Sequence, residues 1–261
     1  MTLWVFGDSF AAKHWRKESD FPYYYRTVAD SLTTNCVICG RGGTSAEYTY
    51  DQFYKNKANI KQDDVVLIAL TTPSRRWFFP TRPGLTSFLS FETNSYEYTE
   101  QELGAFEQYM LHLDHQLLFD LAMTNFLYAL ELFASRQTVK TIVMPCFPNV
   151  VTLADKLGLS EVKLAKGNLW DVNRDEYSAD LIANIGSIIH DGKPNHLTAT
   201  NHKQLAEKLL QTIENNDPLD LTTGFVKGTY TSESIKDPEY KKIELGDANI
   251  AIEIRLGHNQ K

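Results

Sequence analysis

The chain has 261 residues, 43% of them apolar and 23% charged. That is the composition of a folded globular protein and excludes disordered, collagenous and coiled-coil architectures. With 26 Lys and Arg against 33 Asp and Glu, the formal net charge of −7 excludes nucleic acid as an expected partner, because an acidic chain gains little from a phosphate backbone.

Thr2 to Phe6 reads as a buried strand ending in Gly7-Asp8-Ser9. The longest apolar stretch near the N-terminus, Leu3 to Phe6, is far short of a membrane span of about 20 residues, and no signal peptide is legible. A cytoplasmic chain with no membrane partner is therefore expected. Tyr23 to Leu32 forms a helix, Asn35 to Cys39 a second strand, and Gly40, Gly42 and Gly43 follow it. Ser45 to Lys57 is helical, and Asp64 to Leu70 is a continuous aliphatic strand bounded by charge and by Pro73. Strands alternating with helices imply a parallel sheet covered on both faces.

Residues from Arg75 to Glu102 interrupt this rhythm with seven aromatic side chains, two prolines and a glycine, a long insert whose composition argues against disorder. Leu103 to Gln137 reads as one long helix or two in tandem. Phe106, Met110, Leu113, Leu117, Leu121, Tyr128 and Leu132 recur there at helical spacing and are expected to face the core. Thr141 to Met144 is the next strand. Thr198 caps a helix running to about Glu214, with Leu205, Leu209 and Ile213 on one face. Asn215 to Pro218 marks a boundary. The division expected is an α/β domain over 1–216, with its insert at about 75–102, and an extension over 217–261. In that extension Asn249 to Leu256 reads as a strand, with Ile250, Ile252 and Ile254 alternating with polar or small residues, as in a small β appendage, an edge strand or a partner-binding tail.

Ligands of parallel α/β sheets bind outside the carboxyl ends of the strands, and Ser9 stands at such an end. On its own it reads as a helix-capping serine. Asp191-Gly192-Lys193-Pro194-Asn195-His196, leading into the last helix, changes the balance. An imidazole can take the hydroxyl proton and later protonate the leaving group, while a carboxylate holds the ring's tautomer. Asp8, adjacent to Ser9, is expected to fix the turn, and His202 to be a bystander. No cofactor or metal is expected. Cys36 and Cys39 lie on a strand and point to opposite faces, and His112, Asp114 and His115 read as a solvated helix face. Three cysteines do not make a disulfide scaffold.

Gly7-Asp8-Ser9-Phe10, the Arg41-Gly42-Gly43-Thr44-Ser45 block and the string from Asn195 to Leu210 together resemble the SGNH hydrolases, the GDSL-type lipases and esterases. The resemblance implies a three-layer α/β/α sandwich with a mostly parallel, flavodoxin-like sheet. It implies Ser9 as nucleophile, His196 as base and Gly43 as a backbone oxyanion donor. Two departures stand out. The position three before His196 is Lys193, which leaves Asp191 as the nearest carboxylate, or else a Ser–His dyad. After the third strand the family's oxyanion asparagine aligns with Pro73, which leaves Thr72, Ser74, Arg75 and Arg76 as candidate replacements. An oxyanion donor contributes about 3–4 kcal/mol. The activity expected is that of a serine esterase acting on a small-molecule or carbohydrate ester, O-acetylated carbohydrate among them. The alternatives are an acyltransferase and a catalytically weak or inactive binding or structural subunit. Self-association or a protein partner is expected through the extension.

Overall fold

The computed structural model describes residues 1–12, 22–73, 75, 99–112, 116–172, 176–177, 197, 199–226 and 229–230. Its centre is a sheet of five parallel strands: β1 (Thr2–Gly7), β2 (Asn35–Ile38), β3 (Val65–Leu70), β4 (Lys140–Pro145) and β5 (Val162–Leu164). Their order is β2-β1-β3-β4-β5, the doubly wound arrangement in which the order of strand addition reverses between β1 and β3.

Alternation along each strand divides the interior in two. Leu3, Val5, Val65, Leu67, Ile142 and Met144 enter one apolar layer, whereas Trp4, Phe6, Val66, Ile68, Leu70 and Val143 enter the other. The first layer is closed by α1 (Tyr24–Ser31) and α7 (Ala199–Asn215), through Tyr24, Tyr25, Val28, Leu205, Leu209 and Ile213. The second is closed by α2 (Ala46–Asn56), α4 (Gln116–Gln137) and α5 (Pro148–Ala154). A sheet buried on both faces has no place for polar side chains, which explains the unbroken aliphatic runs in the sequence. The expected three-layer architecture is the one observed. Cys36 and Cys39 pack against opposite layers.

Two helix starts are set by local side-chain chemistry. Ser45 accepts the Tyr48 N–H at the start of α2. Thr99 and Glu102 exchange hydrogen bonds reciprocally at the start of α3 (Glu100–His112), a capping box. The stretch expected as one helix or two in tandem is α3 and α4. Asp64 joins β1 to β3 from below: its carboxylate accepts the Thr2 N–H, the Trp4 indole N–H and the Lys61 N–H.

The expected core stripe of the long helix needs correction. Leu117, Leu121, Tyr128 and Leu132 are exposed, and the buried face of α4 is Met123, Phe126, Leu127, Leu130 and Ala134. Both faces are apolar, so helical spacing yields two candidate stripes. Packing against β3 and β4 selects between them. Phe106, Met110, Leu113, Asp114 and His115 carry no described side chain. By length and composition α4 is apolar enough to cross a membrane, although one face lies in the core.

His202 is also not the bystander expected. It is buried on α7, its Nδ1 accepts the Tyr24 N–H at 3.2 Å, and its ring stacks on Tyr24. It thereby satisfies an N–H at the start of α1, where Tyr23 provides no side-chain cap. Past Asn215 the chain stays on the same body: Leu219 and Leu221 are buried in the first layer, and Leu221 N–H bonds the Lys166 carbonyl. A short helix, α6 (Leu169–Val172), precedes a two-residue parallel pair formed by β6 (Glu176–Tyr177) and β7 (Thr229–Tyr230). The strand expected at Asn249 to Leu256 lies outside the described residues, as does most of the aromatic insert.

Two stability predictions follow from these joints. Asp64→Ala leaves three N–H groups without an acceptor and should destabilise the chain by about 2–4 kcal/mol in urea unfolding, with Asp64→Asn losing less. Glu131 receives the N–H groups of Ser160, Glu161 and Val162 and the Ser160 hydroxyl. Burial opposes its ionisation, yet these donors outweigh burial and hold the carboxyl down to about 2. A carboxyl depressed in the folded state stabilises above its unfolded pKa of about 4.3, and that contribution is lost as pH falls toward 2. Thermal unfolding of Glu131→Gln should therefore show a lower melting temperature than wild type at pH 7 and a smaller difference at pH 2.5.

Candidate active site

At the carboxyl end of β1 the chain turns sharply. Ala11 N–H bonds the Asp8 carbonyl at 3.0 Å, and Phe10 N–H bonds Asp8 Oδ1 at 3.0 Å, so the turn is closed once by backbone and once by the Asp8 side chain. Ser9 occupies the first central position of this turn and is 8% exposed.

The loop after β2 runs beside it. Ala12 and Gly40 form a parallel bridge, and Arg41 N–H bonds the Gly7 carbonyl at 3.1 Å. A β-carbon at Gly40 would fall 2.5 Å from the Ala11 backbone, and one at Gly7 2.4 Å from the Ala69 carbonyl oxygen. Only glycine permits these crossings. A β-carbon at Gly42 would lie 3.9 Å from Ser9 Cβ, so the glycine block borders the serine. Gly43 follows with φ of 74° and is half-buried.

Asp8 organises the floor. Its carboxylate is fully buried, with Oδ2 paired to the Arg75 guanidinium at 2.9 Å and Oδ1 accepting the Phe10 N–H and, at 3.7 Å, the Cys146 thiol. Asp8 thus fixes the turn, as expected, and also ties β1 to the segments after β3 and β4. Burial first, and then the Asp8 charge, push the Cys146 thiol up, so it remains protonated at neutral pH and acts as a donor rather than a nucleophile.

Arg75 is held on one side by Asp8 and lies over the Phe147 ring, its guanidinium carbon 5.3 Å from the centroid. Its side chain is 23% exposed. Because Asp8 balances its charge, Arg75 is not the isolated cation that an acidic substrate would seek. Phe147 in turn contacts Phe10 and Trp170, with ring centroids 6.4 Å and 5.2 Å apart. Thr72 Oγ1 accepts the Asn149 side-chain N–H at 2.8 Å. Pro73 is buried.

The structure therefore brings Ser9 beside the Gly42 and Gly43 loop, and joins Arg75 to the Ser9 turn through Asp8. Asp191, His196, Ser74 and Arg76 lie outside the described residues. Leu197, the residue after His196, is buried in the same apolar layer as Phe10. Among the described residues no group of three or more His, Cys, Asp or Glu could hold a metal ion. Sequence reasoning missed Cys146, Phe147, Asn149 and Trp170. The signal available was position, since Pro145-Cys146-Phe147-Pro148-Asn149 follows the fourth strand at the edge where ligands of such sheets bind.

No family model and no curated protein matches the chain. Solved structures similar to it include a carbohydrate esterase whose active site is described as displaying divergent catalytic and non-catalytic binding functions. The two are 13% identical, over 82% of this chain and 68% of that one, with a TM-score of 0.45. Another is a protein from Desulfitobacterium hafniense DCB-2 described as lipolytic and of the G-D-S-L family. It is 12% identical, over 79% of this chain and 95% of that one, with a TM-score of 0.38.

Breaking one half of a buried ion pair leaves an uncompensated charge. Asp8→Asn and Arg75→Met should each destabilise the chain by about 3 kcal/mol or more in denaturant unfolding, and the double variant should recover part of the loss. Additive losses would show that the pair contributes no coupling.

Proposed function

We propose that this chain is a serine esterase with Ser9 as its nucleophile. The reading rests on one observation: a nearly buried serine stands at the carboxyl end of a central strand, in a turn locked by Asp8 and bordered by the Gly42 and Gly43 loop. In the proposed reaction Ser9 Oγ attacks an ester carbonyl while His196 removes its proton, and the imidazolium then protonates the departing alcohol. Asp191 holds the imidazole tautomer, and water cleaves the acyl-enzyme by the reverse proton path. The N–H groups of Ser9 and Gly43 receive the oxyanion. Arg75, tethered through one nitrogen to Asp8, supplies a further donor in place of the one that Pro73 lacks. The burial of Leu197, the residue after His196, in the apolar layer that also holds Phe10 supports the participation of His196.

Neutralisation of Arg75 by Asp8 favours uncharged esters over anionic ones. The ring of Phe147 beside Arg75, with Trp170 packed against it, suits a carbohydrate or aryl face, which keeps O-acetylated carbohydrate among the substrates proposed. The second reading, a binding subunit on the same fold without turnover, is favoured by Pro73 and by Lys193, which stands where a carboxylate would orient His196.

A fluorophosphonate probe separates the two. Wild type should be labelled, and Ser9→Ala and His196→Ala should lower labelling and ester turnover by about 10³-fold or more. Labelling of Ser9→Ala equal to wild type would remove the esterase reading. Asp191→Asn should reduce kcat by about 10²-fold or more if it orients the base, and leave kcat unchanged if the pair acts as a dyad.

A further inference from the structure

Between the ends of β3 and β4 stands a polar group that the proposed reaction does not use. Asn149, the second residue of α5, is exposed, and its side-chain N–H donates to Thr72 Oγ1 at 2.8 Å. This bond joins residues 77 apart in the chain, so it is made by the fold and not by a local turn. Among the described residues it is the only side-chain hydrogen bond of Asn149, whose second N–H and amide oxygen have no partner there.

The same segment carries an aromatic wall that reaches the serine turn. Phe147, two residues earlier, packs edge-on against Phe10, the residue after Ser9, and holds the Arg75 guanidinium over its ring. Trp170 lies against Phe147, and both rings are half-buried. A chain of bonds also ties Asn149 to that turn. The Thr72 carbonyl accepts the Arg75 N–H at 3.3 Å, and Arg75 pairs with Asp8, whose side chain closes the turn.

We propose that Asn149, beside the wall of Phe147 and Trp170, is the specificity-determining residue of a subsite for the alcohol portion of the ester, and that this portion is an uncharged, hydroxyl-bearing ring of the carbohydrate class. The proposal rests on the esterase reading and names the substrate class of that site. A planar amide offers a donor and an acceptor side by side, the pattern that two neighbouring hydroxyls satisfy. Its bond to Thr72 holds the amide in place, so little side-chain freedom is lost on binding. The adjoining rings supply apolar surface for the C–H face of a sugar. A hydrocarbon chain could cover the same rings, but it would take the amide from water and return no hydrogen bond. A carboxylate or phosphate gains little here, because the guanidinium over Phe147 is already paired with Asp8.

Hydrolysis of two acetate esters by the full chain tests the subsite. One is a methyl glucoside acetylated on its primary hydroxyl; the other is cyclohexylmethyl acetate, which keeps a six-membered ring and lacks the hydroxyls. Wild type should favour the sugar ester. Asn149→Ala, a change at an exposed position, should lower the ratio of the two kcat/KM values about tenfold, chiefly through the KM of the sugar ester. A second measurement needs no variant: methyl glucoside should compete with either ester more strongly than cyclohexanemethanol does. An unchanged ratio in Asn149→Ala, an equal loss on both esters, or stronger competition by cyclohexanemethanol would overturn the subsite. Fluorophosphonate labelling of Ser9 in wild type would then leave the esterase reading standing. A wild type that neither takes the label nor hydrolyses either ester would remove both.

Discussion

A carboxylate with no exposure to water needs donors on every side, and the geometry of the Ser9 turn follows from how Asp8 finds them. One oxygen takes a backbone N–H two residues on and a thiol from the segment after β4; the other takes a guanidinium from the segment after β3. Removing a carboxylate from water costs several kcal/mol, a cost offset only when the partners are fixed in place. Three strand ends are thereby held together at one point. Loss of any donor would loosen the turn that holds Ser9.

The same arrangement constrains what the site can recognise. An arginine near a half-closed turn suggests an acidic ligand when viewed alone. Paired with a buried carboxylate and spread over an aromatic ring, it becomes a rigid, nearly neutral dipole. Such a dipole is fixed in place and need not reorganise to meet a polar group brought beside it. Burial also keeps Cys146 a thiol, so it supports the aspartate without competing as a nucleophile.

The glycines after β1 and β2 act by a different route. Gly7 and Gly40 let two loops approach at distances that any β-carbon would forbid, which brings the Gly42 and Gly43 segment alongside Ser9. The helices on the far side of the sheet obey only packing. Phe53, Phe126 and Leu130 fill the second layer whatever faces outward, which leaves α4 free to carry a second apolar face.

Four of the five central strands were legible because a parallel sheet buried on both faces demands unbroken aliphatic runs, and VVLIAL at 65–70 has no other comfortable environment, whereas β5, the three-residue VKL at the sheet's edge, is too short and too polar to stand out. Ser9 and the glycine block were legible because turn chemistry is local, whereas the Thr99 capping box, which starts α3 three residues before the expected Leu103, went unread although its Thr-x-x-Glu pattern is local. Which face of α4 turns inward was not legible, since helical periodicity is the same for two apolar stripes and the sheet alone breaks the tie. Nor was the bond from His202 to the start of α1, or the meeting of Asp8 with Arg75 and Cys146 across separations of 67 and 138 residues. Sequence specifies which side chains can make such bonds, but only the closing of the sheet brings them within reach of one another.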